Sequence, residues 1–216
     1  MAKKLMYQNL LFDWSGTLVN DLPPTLYATN AVLESHGVAA MDLAEFRRRF
    51  RLPYPDFYEE VLPGVPIDSL EDLFRSAFRE SPEQVTVLPH AREKMEWCRA
   101  QGIRCFVLSS MDTGVFNEQA ERLEMGHFFE ALYTGVIDKR DQIGDILKAH
   151  DLDPQMTAFV GDMVHDIDTA HHGKVASIAV TTGYDPEERL VKANPTHLFE
   201  HLSAFREWLE GQSKEG

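Results

Sequence analysis

The stretch from residue 7 to residue 18 reads YQNLLFDWSGTL. Its mostly apolar part, from Tyr7 to Trp14, stops at an acid, Asp13, and a short polar segment, SGT, follows. This pattern is typical of a buried β-strand that ends in a tight loop. The stretch therefore predicts a strand of a covered sheet, with chemically active side chains where the strand ends.

Further short apolar runs predict four more strands, at residues 104–109, 131–134, 157–160 and 176–181. Segments with helical spacing separate these runs, at residues 89–101, 112–124, 141–150 and 185–191. Strands that alternate with helices of this length imply right-handed crossovers and a parallel sheet covered on both faces. The fold class is therefore expected to be α/β, with a Rossmann-like core.

The segment from residue 20 to residue 85 breaks this alternation. It predicts helices in succession, at residues 25–36, 43–50, 57–62 and 69–80, separated by the proline-containing breaks PP, LPYP, LPGVP and SP. The simplest organisation is a helical insertion into the α/β sheet. We therefore expect a core formed by residues 1–19 and 86–216 and a helical cap formed by residues 20–85.

The composition excludes several classes of protein. The chain has 216 residues, of which 44% are hydrophobic and 26% charged, so it is long and apolar enough to bury a core. Its formal net charge of −14 argues against a nucleic acid or an anionic membrane as partner. Neither disorder nor a disulfide scaffold fits these values, and the sequence leaves the oligomeric state undetermined.

The compartment is expected to be the cytoplasm. The chain has two cysteines, Cys98 and Cys105, too few for a secreted disulfide framework, and no apolar run approaches the length of a membrane span. The chain starts with basic residues, but Gln8 and Asn9 interrupt the apolar run that follows, so this segment is interpreted as mature protein. The tail after Gly211 is expected to be frayed.

Polar side chains follow the predicted strands at the places where a parallel sheet binds ligands, the carboxyl ends. Asp13 follows the first strand, the pair SS at residues 109–110 ends the second, and Asp162 with Asp166 follows the fourth. Lys139 lies on the crossover that leads to the fourth strand. Carboxylates, a hydroxyl and an ammonium group are the groups that phosphoryl transfer through an aspartyl-phosphate requires.

These motifs resemble those of the haloacid dehalogenase superfamily, and within it the phosphoglycolate-phosphatase-like branch with a helical cap. FDWSGTLV resembles the first motif, FVLSS the second, Lys139 the third and VGDMVHDIDTA the fourth, while the later VTTGY is also usual in that branch. The similarity covers nearly the whole chain. The resemblance implies a hydrolase that removes phosphate from small phosphorylated metabolites.

The resemblance also implies roles for single residues. Asp13 would be the nucleophile that becomes phosphorylated, Ser109 would hydrogen-bond the phosphate, and Lys139 would pair with Asp13 and the transferred group. Ser110 is a plausible neighbour of the phosphate, and Arg140 is an alternative to Lys139 within the sequence DKRD.

The same resemblance implies a magnesium site. Asp13, the backbone carbonyl of Ser15 and Asp162 would bind Mg²⁺, and Asp166 would be a ligand or hold a metal-bound water. Gly16 and Thr17 are expected to turn the chain so that backbone N–H groups face the phosphate.

Ser15 departs from the family pattern. Family phosphatases usually carry an aspartate there, as general acid and then base, and the loss of such a group typically costs ~10²–10⁴-fold in rate. Three hypotheses follow: a phosphatase that prefers activated phosphates, an enzyme of different chemistry, or a catalytically weak sensor of phosphate or a metabolite. A phosphonate hydrolase is disfavoured because its cap supplies a Schiff-base lysine and residues 20–85 contain none.

The cap carries one run of basic residues, RRRFR at residues 47–51. Within an acidic protein, Arg47 and Arg51 are candidates for clamping the anionic part of a phosphorylated substrate. The alternative is a solvated helix face with ordinary ion pairs.

Overall fold

The structure is a computed structural model that describes residues 5–212. The expectations for the first four residues and for the tail from residue 213 lie outside the described residues, although helix persists as far as Gln212. Within residues 5–212, no helix is both long and apolar enough to cross a lipid bilayer.

Strands and helices alternate along most of the chain. The strands are β1 (Asn9–Phe12), β2 (Val19–Asn20), β3 (Thr86–Val87), β4 (Arg104–Leu108), β5 (Ala131–Tyr133), β6 (Thr157–Gly161), β7 (Ala176–Val180) and β8 (His197–Phe199). The helices are α1 (Leu22–Ser35), α2 (Leu43–Arg49), α3 (Tyr54–Val61), α4 (Ile67–Glu80), α5 (Ala91–Gln101), α6 (Thr113–Arg122), α7 (Lys139–Ala149), α8 (Val164–Gly173), α9 (Glu187–Lys192) and α10 (Leu202–Gln212).

The main sheet has the strand order β5-β4-β1-β6-β7-β8, and every pair within it is parallel. This order confirms the predicted α/β fold with a Rossmann-like parallel sheet. In register, Phe12 of β1 lies between Val107 of β4 and Val160 of β6. The residues that follow these three strands therefore emerge side by side at one edge of the sheet.

The central strand is buried on both faces, as its apolar sequence predicts. Leu10 and Phe12 point into one apolar cluster, while Leu11 packs with Phe106 and Phe159 in another. Complete burial of such side chains contributes roughly 1.5–3 kcal/mol each relative to exposure. The sheet therefore provides a rigid base for the residues at its carboxyl edge.

Helices α1 to α4 lie between β2 and β3, which form a separate antiparallel pair. α1 packs against α4, and Leu33, Phe46, Phe57 and Leu70 are among the buried residues of their own apolar cluster. α1 starts earlier than the sequence predicts, because prolines are accepted in a first helical turn, where the N–H groups lack intrahelical partners.

Two further differences concern helix and strand limits. α7 begins at Lys139, because the Asp138 side chain caps its first turn by accepting the Arg140 N–H, whereas the sequence predicted a start at Asp141. The sequence analysis also missed β8 and α10. β8 has only three residues, all half-buried, so it carries no recognisable apolar run.

One lysine is buried in the core without a carboxylate partner. Nζ of Lys94 on α5 lies 3.9 Å from the ring centroid of Phe205 and 4.6 Å from that of Trp97. Among the described residues it has no hydrogen-bond partner. Burial lowers the pKa of Lys94 to about 8, and the neighbouring Cys98 opposes the shift.

Replacement of this lysine should stabilise the protein. For Lys94→Met we expect the free energy of unfolding at pH 7 to rise by roughly 1–3 kcal/mol, because a buried charge is removed and only cation–π contacts are lost. In the parent, stability should rise from pH 8 to pH 10.5, where the unfolded chain still binds the proton that folded Lys94 has released. Urea unfolding at several pH values measures both effects.

Lys148→Met is the matched control, because Lys148 is exposed and pairs only loosely with Asp145, at 3.8 Å. It should change neither the stability nor its pH dependence. If the free energy of unfolding of Lys94→Met rose with pH as steeply as that of the parent, the low pKa would not belong to Lys94.

Candidate active site

The centre of the site is a buried lysine between two carboxylates. Nζ of Lys139 lies 2.6 Å from Oδ1 of Asp13 and 2.7 Å from Oδ1 of Asp166. Asp13 directly follows β1, Lys139 is the first residue of α7, and Asp166 lies in the first turn of α8. All three side chains are buried, so each depends on the others for electrostatic compensation.

Asp166 also fixes the loop that joins β6 to α8. Its Oδ2 accepts the backbone N–H of Asp162 at 3.1 Å and that of Met163 at 3.0 Å. A Cβ atom at Gly161 would overlap the Asp166 side chain, so this position requires a glycine. Asp166 therefore orients both Lys139 and the loop that carries Asp162.

Asp162 is held in place from both sides. Its Oδ1 accepts the hydroxyl of Thr17 at 2.7 Å, and its Oδ2 accepts the backbone N–H of Tyr184 at 2.8 Å. Gly16, with φ of +73°, and Gly183 pack so closely that a side chain at either position would meet the Asp162 carboxylate. The loops after β1 and β7 thus clamp this carboxylate.

The carboxylates form a cluster that fits a divalent cation. One oxygen from each of Asp13, Asp162 and Asp166 lies within 4.8 Å of the others, and the single ammonium group of Lys139 pairs with only two of these three carboxylates. Burial raises the pKa of Asp13 and of Asp162, and the neighbouring carboxylates add to both shifts. Burial would lower the pKa of Lys139, but Asp13 and Asp166 raise it above its usual range. Hard oxygen ligands and excess negative charge are what Mg²⁺ prefers.

Next to this cluster lies a cavity of about 340 Å³. Asp13, Ser15 and Ser110 line it. Ser109 is buried at the end of β4, where its Oγ accepts the Met111 N–H at 3.2 Å, and it does not line the cavity.

The loop after β1 differs from the expectation in one respect. The Gly16 N–H donates to the Val19 carbonyl at 2.8 Å, so the expectation that it faces a phosphate is wrong. The tight turn uses this donor internally. Gly16 and the hydroxyl of Thr17 serve the site by packing against Asp162 and bonding to it.

The cap arginines lie elsewhere than expected. Arg47 donates to the Gly183 carbonyl at 2.9 Å, and Arg51 pairs with Glu60 and donates to the carbonyl oxygens of Arg49 and Asp56. Neither arginine lines the cavity. These contacts favour the alternative of ordinary structural pairs over a substrate clamp formed by Arg47 and Arg51: Arg47 ties the cap to the loop after β7, and Arg51 stabilises the cap itself.

Sequence reasoning missed two groups of the site, Asp21 and Tyr184. Asp21 is buried beside the cavity, where the hydroxyls of Ser15 and Tyr184 donate to its carboxylate, and burial raises its pKa to about 6. His165 accepts the backbone N–H of Lys139 at 3.2 Å and so supports the start of α7. The only sequence signal for Tyr184 was its place in VTTGY, and Asp21 carried none.

Comparison with known proteins identifies the family. The sequence profile described as Haloacid dehalogenase-like hydrolase matches residues 10–180 of the chain. The protein belongs to this family. The match spans β1 to β7 and includes Asp13, Lys139, Asp162 and Asp166, but it ends before the loop that follows β7.

Curated relatives of this hydrolase are phosphatases by name. It is 27% identical over 215 residues to a 5'-nucleotidase from Pseudomonas aeruginosa, which covers 95% of this chain and 97% of that protein. It is 23% identical over 207 residues to a phosphoglycolate phosphatase from Pseudomonas syringae, which covers 89% of this chain and 76% of that protein. The chain is thus a phosphohydrolase of the haloacid dehalogenase-like family.

Solved structures share the whole fold. A haloacid dehalogenase-like family protein from Streptococcus pneumoniae superposes with a TM-score of 0.83, at 21% identity, over 94% of this chain and 98% of its own. A protein named as a predicted phosphatase from Clostridium acetobutylicum gives a TM-score of 0.84 at 18% identity, over 95% of this chain and 99% of its own.

A methyl group at Gly183 should disable the carboxylate cluster of this hydrolase. In Gly183→Ala the new Cβ would overlap the Asp162 carboxylate and displace it, so we expect at least a ~10-fold loss of affinity for Mg²⁺. Isothermal titration of the folded variant with Mg²⁺ measures this loss. Gly144→Ala on α7 is the control, because a Cβ there meets no atom within 4 Å. Equal affinity in both variants would contradict the clamp.

Proposed function

We propose that the protein is a magnesium-dependent phosphatase of small phosphomonoesters that acts through a phosphorylated Asp13. The observation that carries this proposal is the buried contact of Lys139 with Asp13, at 2.6 Å, at the mouth of a cavity. A carboxylate oriented by a permanent cation, beside a cluster suited to a divalent ion, is the arrangement that transfer of a phosphoryl group to an aspartate needs.

Four residues of the site have distinct roles in the proposed reaction. A carboxylate oxygen of Asp13 attacks phosphorus, and the alcohol oxygen leaves on the opposite side and takes a proton from water, since Ser15 is no acid. Water then attacks the phosphorus of the phosphorylated Asp13, which releases inorganic phosphate and restores the carboxylate. Lys139 keeps the carboxylate in its attacking orientation and offsets charge on the phosphoryl oxygens. Ser110 borders the cavity, and Ser109, by accepting the Met111 N–H, shapes the loop that carries Ser110.

Asp13, Asp162, Asp166 and the carbonyl of Ser15 would hold Mg²⁺. The bound ion would supply positive charge that polarises the phosphate. Asp166 already makes three hydrogen bonds within the protein, so its main part is to position Lys139 and the loop before α8.

The substrate class and compartment follow from the same features. The names of the relatives, 5'-nucleotidase and phosphoglycolate phosphatase, support a phosphomonoester of a small metabolite. The net charge of −14 supports the proposal that no nucleic-acid polymer or membrane surface is a partner. The free, buried thiols of Cys98 and Cys105 suit the reducing cytoplasm.

Asp13→Asn should abolish turnover while leaving the fold intact. The amide keeps the shape of the carboxylate and a contact with Lys139, but it is not a nucleophile, so kcat on acetyl phosphate and para-nitrophenyl phosphate should fall at least ~10³-fold. Phosphate release in the presence of Mg²⁺ measures this loss. If the parent binds Mg²⁺ and phosphate but turns over no ester, the proposal fails and a sensor on the same scaffold replaces it.

Ser15→Asp should restore the acid that family phosphatases use. We expect kcat on simple alkyl phosphates to rise by at least ~10-fold, and less on para-nitrophenyl phosphate, whose leaving group needs no proton. Ser76→Asp, on the exposed side of α4, is the control for an added negative charge. An unchanged or lower rate on alkyl phosphates would contradict the argument that an acid is missing.

A further inference from the structure

Six aromatic rings from the described part of the chain line the cavity beside Asp13. Phe50, Tyr54, Tyr58, Phe74 and Phe78 line it from the cap, and Tyr184 lines it from the loop after β7. Phe50 and Tyr184 approach to 5.5 Å between ring centroids, and Phe74 and Phe78 to 5.9 Å. Flat apolar walls of this kind match a flat apolar ligand group.

The charged groups of the cavity do not favour an anion. Apart from the nucleophile, Asp21, Glu71 and Asp112 line the cavity, and Arg75 is the single cation among its described lining residues. Arg75 is already engaged by Asp72 at 2.6 Å, by Glu71 at 3.6 Å and by Asp112 at 3.9 Å. A carboxylate on the substrate would therefore find no unpaired cation and would face three like charges.

The same carboxylates already accept hydrogen bonds from the protein, and two of them lie close to Arg75. Glu71 accepts the hydroxyl of Tyr54 and pairs with Arg75, and Asp112 accepts two N–H groups at the start of α6. Asp21 accepts the hydroxyl of Tyr184 at 2.9 Å. An ammonium group would have to share carboxylate oxygens with these donors and with Arg75, whereas an uncharged ring would leave every one of these contacts unchanged.

We propose that the alcohol half of the substrate is an uncharged group that carries a flat ring, held between the cap aromatics and Tyr184. This inference rests on the proposed phosphatase function and narrows its substrate class. It also sets this chain apart from enzymes whose substrate carries a second anion, since a small acid such as glycolate would leave the aromatic walls unfilled and meet the acidic groups.

Three primary alkyl phosphates test the proposal, because their alcohols have similar acidity and the absence of an acid at Ser15 should slow them alike. They are 2-phenylethyl phosphate, the phosphate ester of 3-hydroxypropionate, and phosphocholine. We expect kcat/KM with Mg²⁺ to be at least about 30-fold higher for the phenylethyl ester than for either charged ester. A preference for the carboxylate or the ammonium ester, or equal values for all three, would overturn the proposal.

Acetyl phosphate, which needs neither the ring nor an acid, separates this failure from failure of the proposed function. Turnover of acetyl phosphate without a preference for the ring overturns the substrate class alone. Absence of turnover of every ester, acetyl phosphate included, overturns the phosphatase function and the inference that rests on it.

Two variants and one control test whether the cavity causes the preference for the ester that carries a ring. Phe74→Ala should lower kcat/KM for the phenylethyl ester at least about fivefold more than for ethyl phosphate, which has no ring to bind. Phe128→Ala, at a half-buried phenylalanine outside the cavity, should not change the ratio of the two values. Ile137→Arg adds a cation at an exposed position on the rim, where folding is little affected. It should raise kcat/KM for the carboxylate ester about 10-fold. An equal decrease of kcat/KM for the phenylethyl ester and for ethyl phosphate in Phe74→Ala would overturn the assignment. An unchanged kcat/KM for the carboxylate ester in Ile137→Arg would overturn it too.

Discussion

The contact of the Lys139 ammonium group with Asp13 and Asp166 is the constraint on which the site depends. An ion buried this deeply costs several kcal/mol unless charged partners meet it within hydrogen-bond distance. Asp13 follows the end of β1, Lys139 starts α7 and Asp166 lies at the start of α8. The core must therefore hold these three elements in fixed positions relative to one another. A rigid parallel sheet with β1 at its centre meets that requirement.

The loop after β7 connects the carboxylate cluster to the cap. The Tyr184 N–H bonds to Asp162, while its hydroxyl reaches Asp21 at the entrance of the helical insertion. Two arginines strengthen the same link: Arg47 bonds to the Gly183 carbonyl, and Arg189 bonds to the carbonyl of Phe50 at 3.1 Å. The aromatic cavity is thus built on the same loop that orients the Asp162 carboxylate.

The sequence predicted the sheet and the gathering of Asp13, Lys139, Asp162 and Asp166, because apolar runs that end in acids have a local signature and parallel strands share an edge. It could not place side chains whose partners are distant in sequence. The cluster RRRFR has the same letters whether it faces a substrate or the loop after β7. Asp21 likewise gains significance only where folding sets it against Tyr184, 163 residues away.

The antiparallel pair formed by β2 and β3 has a consequence for how such a chain can change. The chain leaves the core through Val19 and Asn20 and returns to it through Thr86 and Val87, which pair with them. The insertion therefore begins and ends at the same place. Every strand of the main sheet lies outside the insertion. Helices of another length or sequence could be exchanged at this two-stranded pair, and with them the aromatic walls of the cavity, while Asp13, Asp162 and Asp166 keep their places.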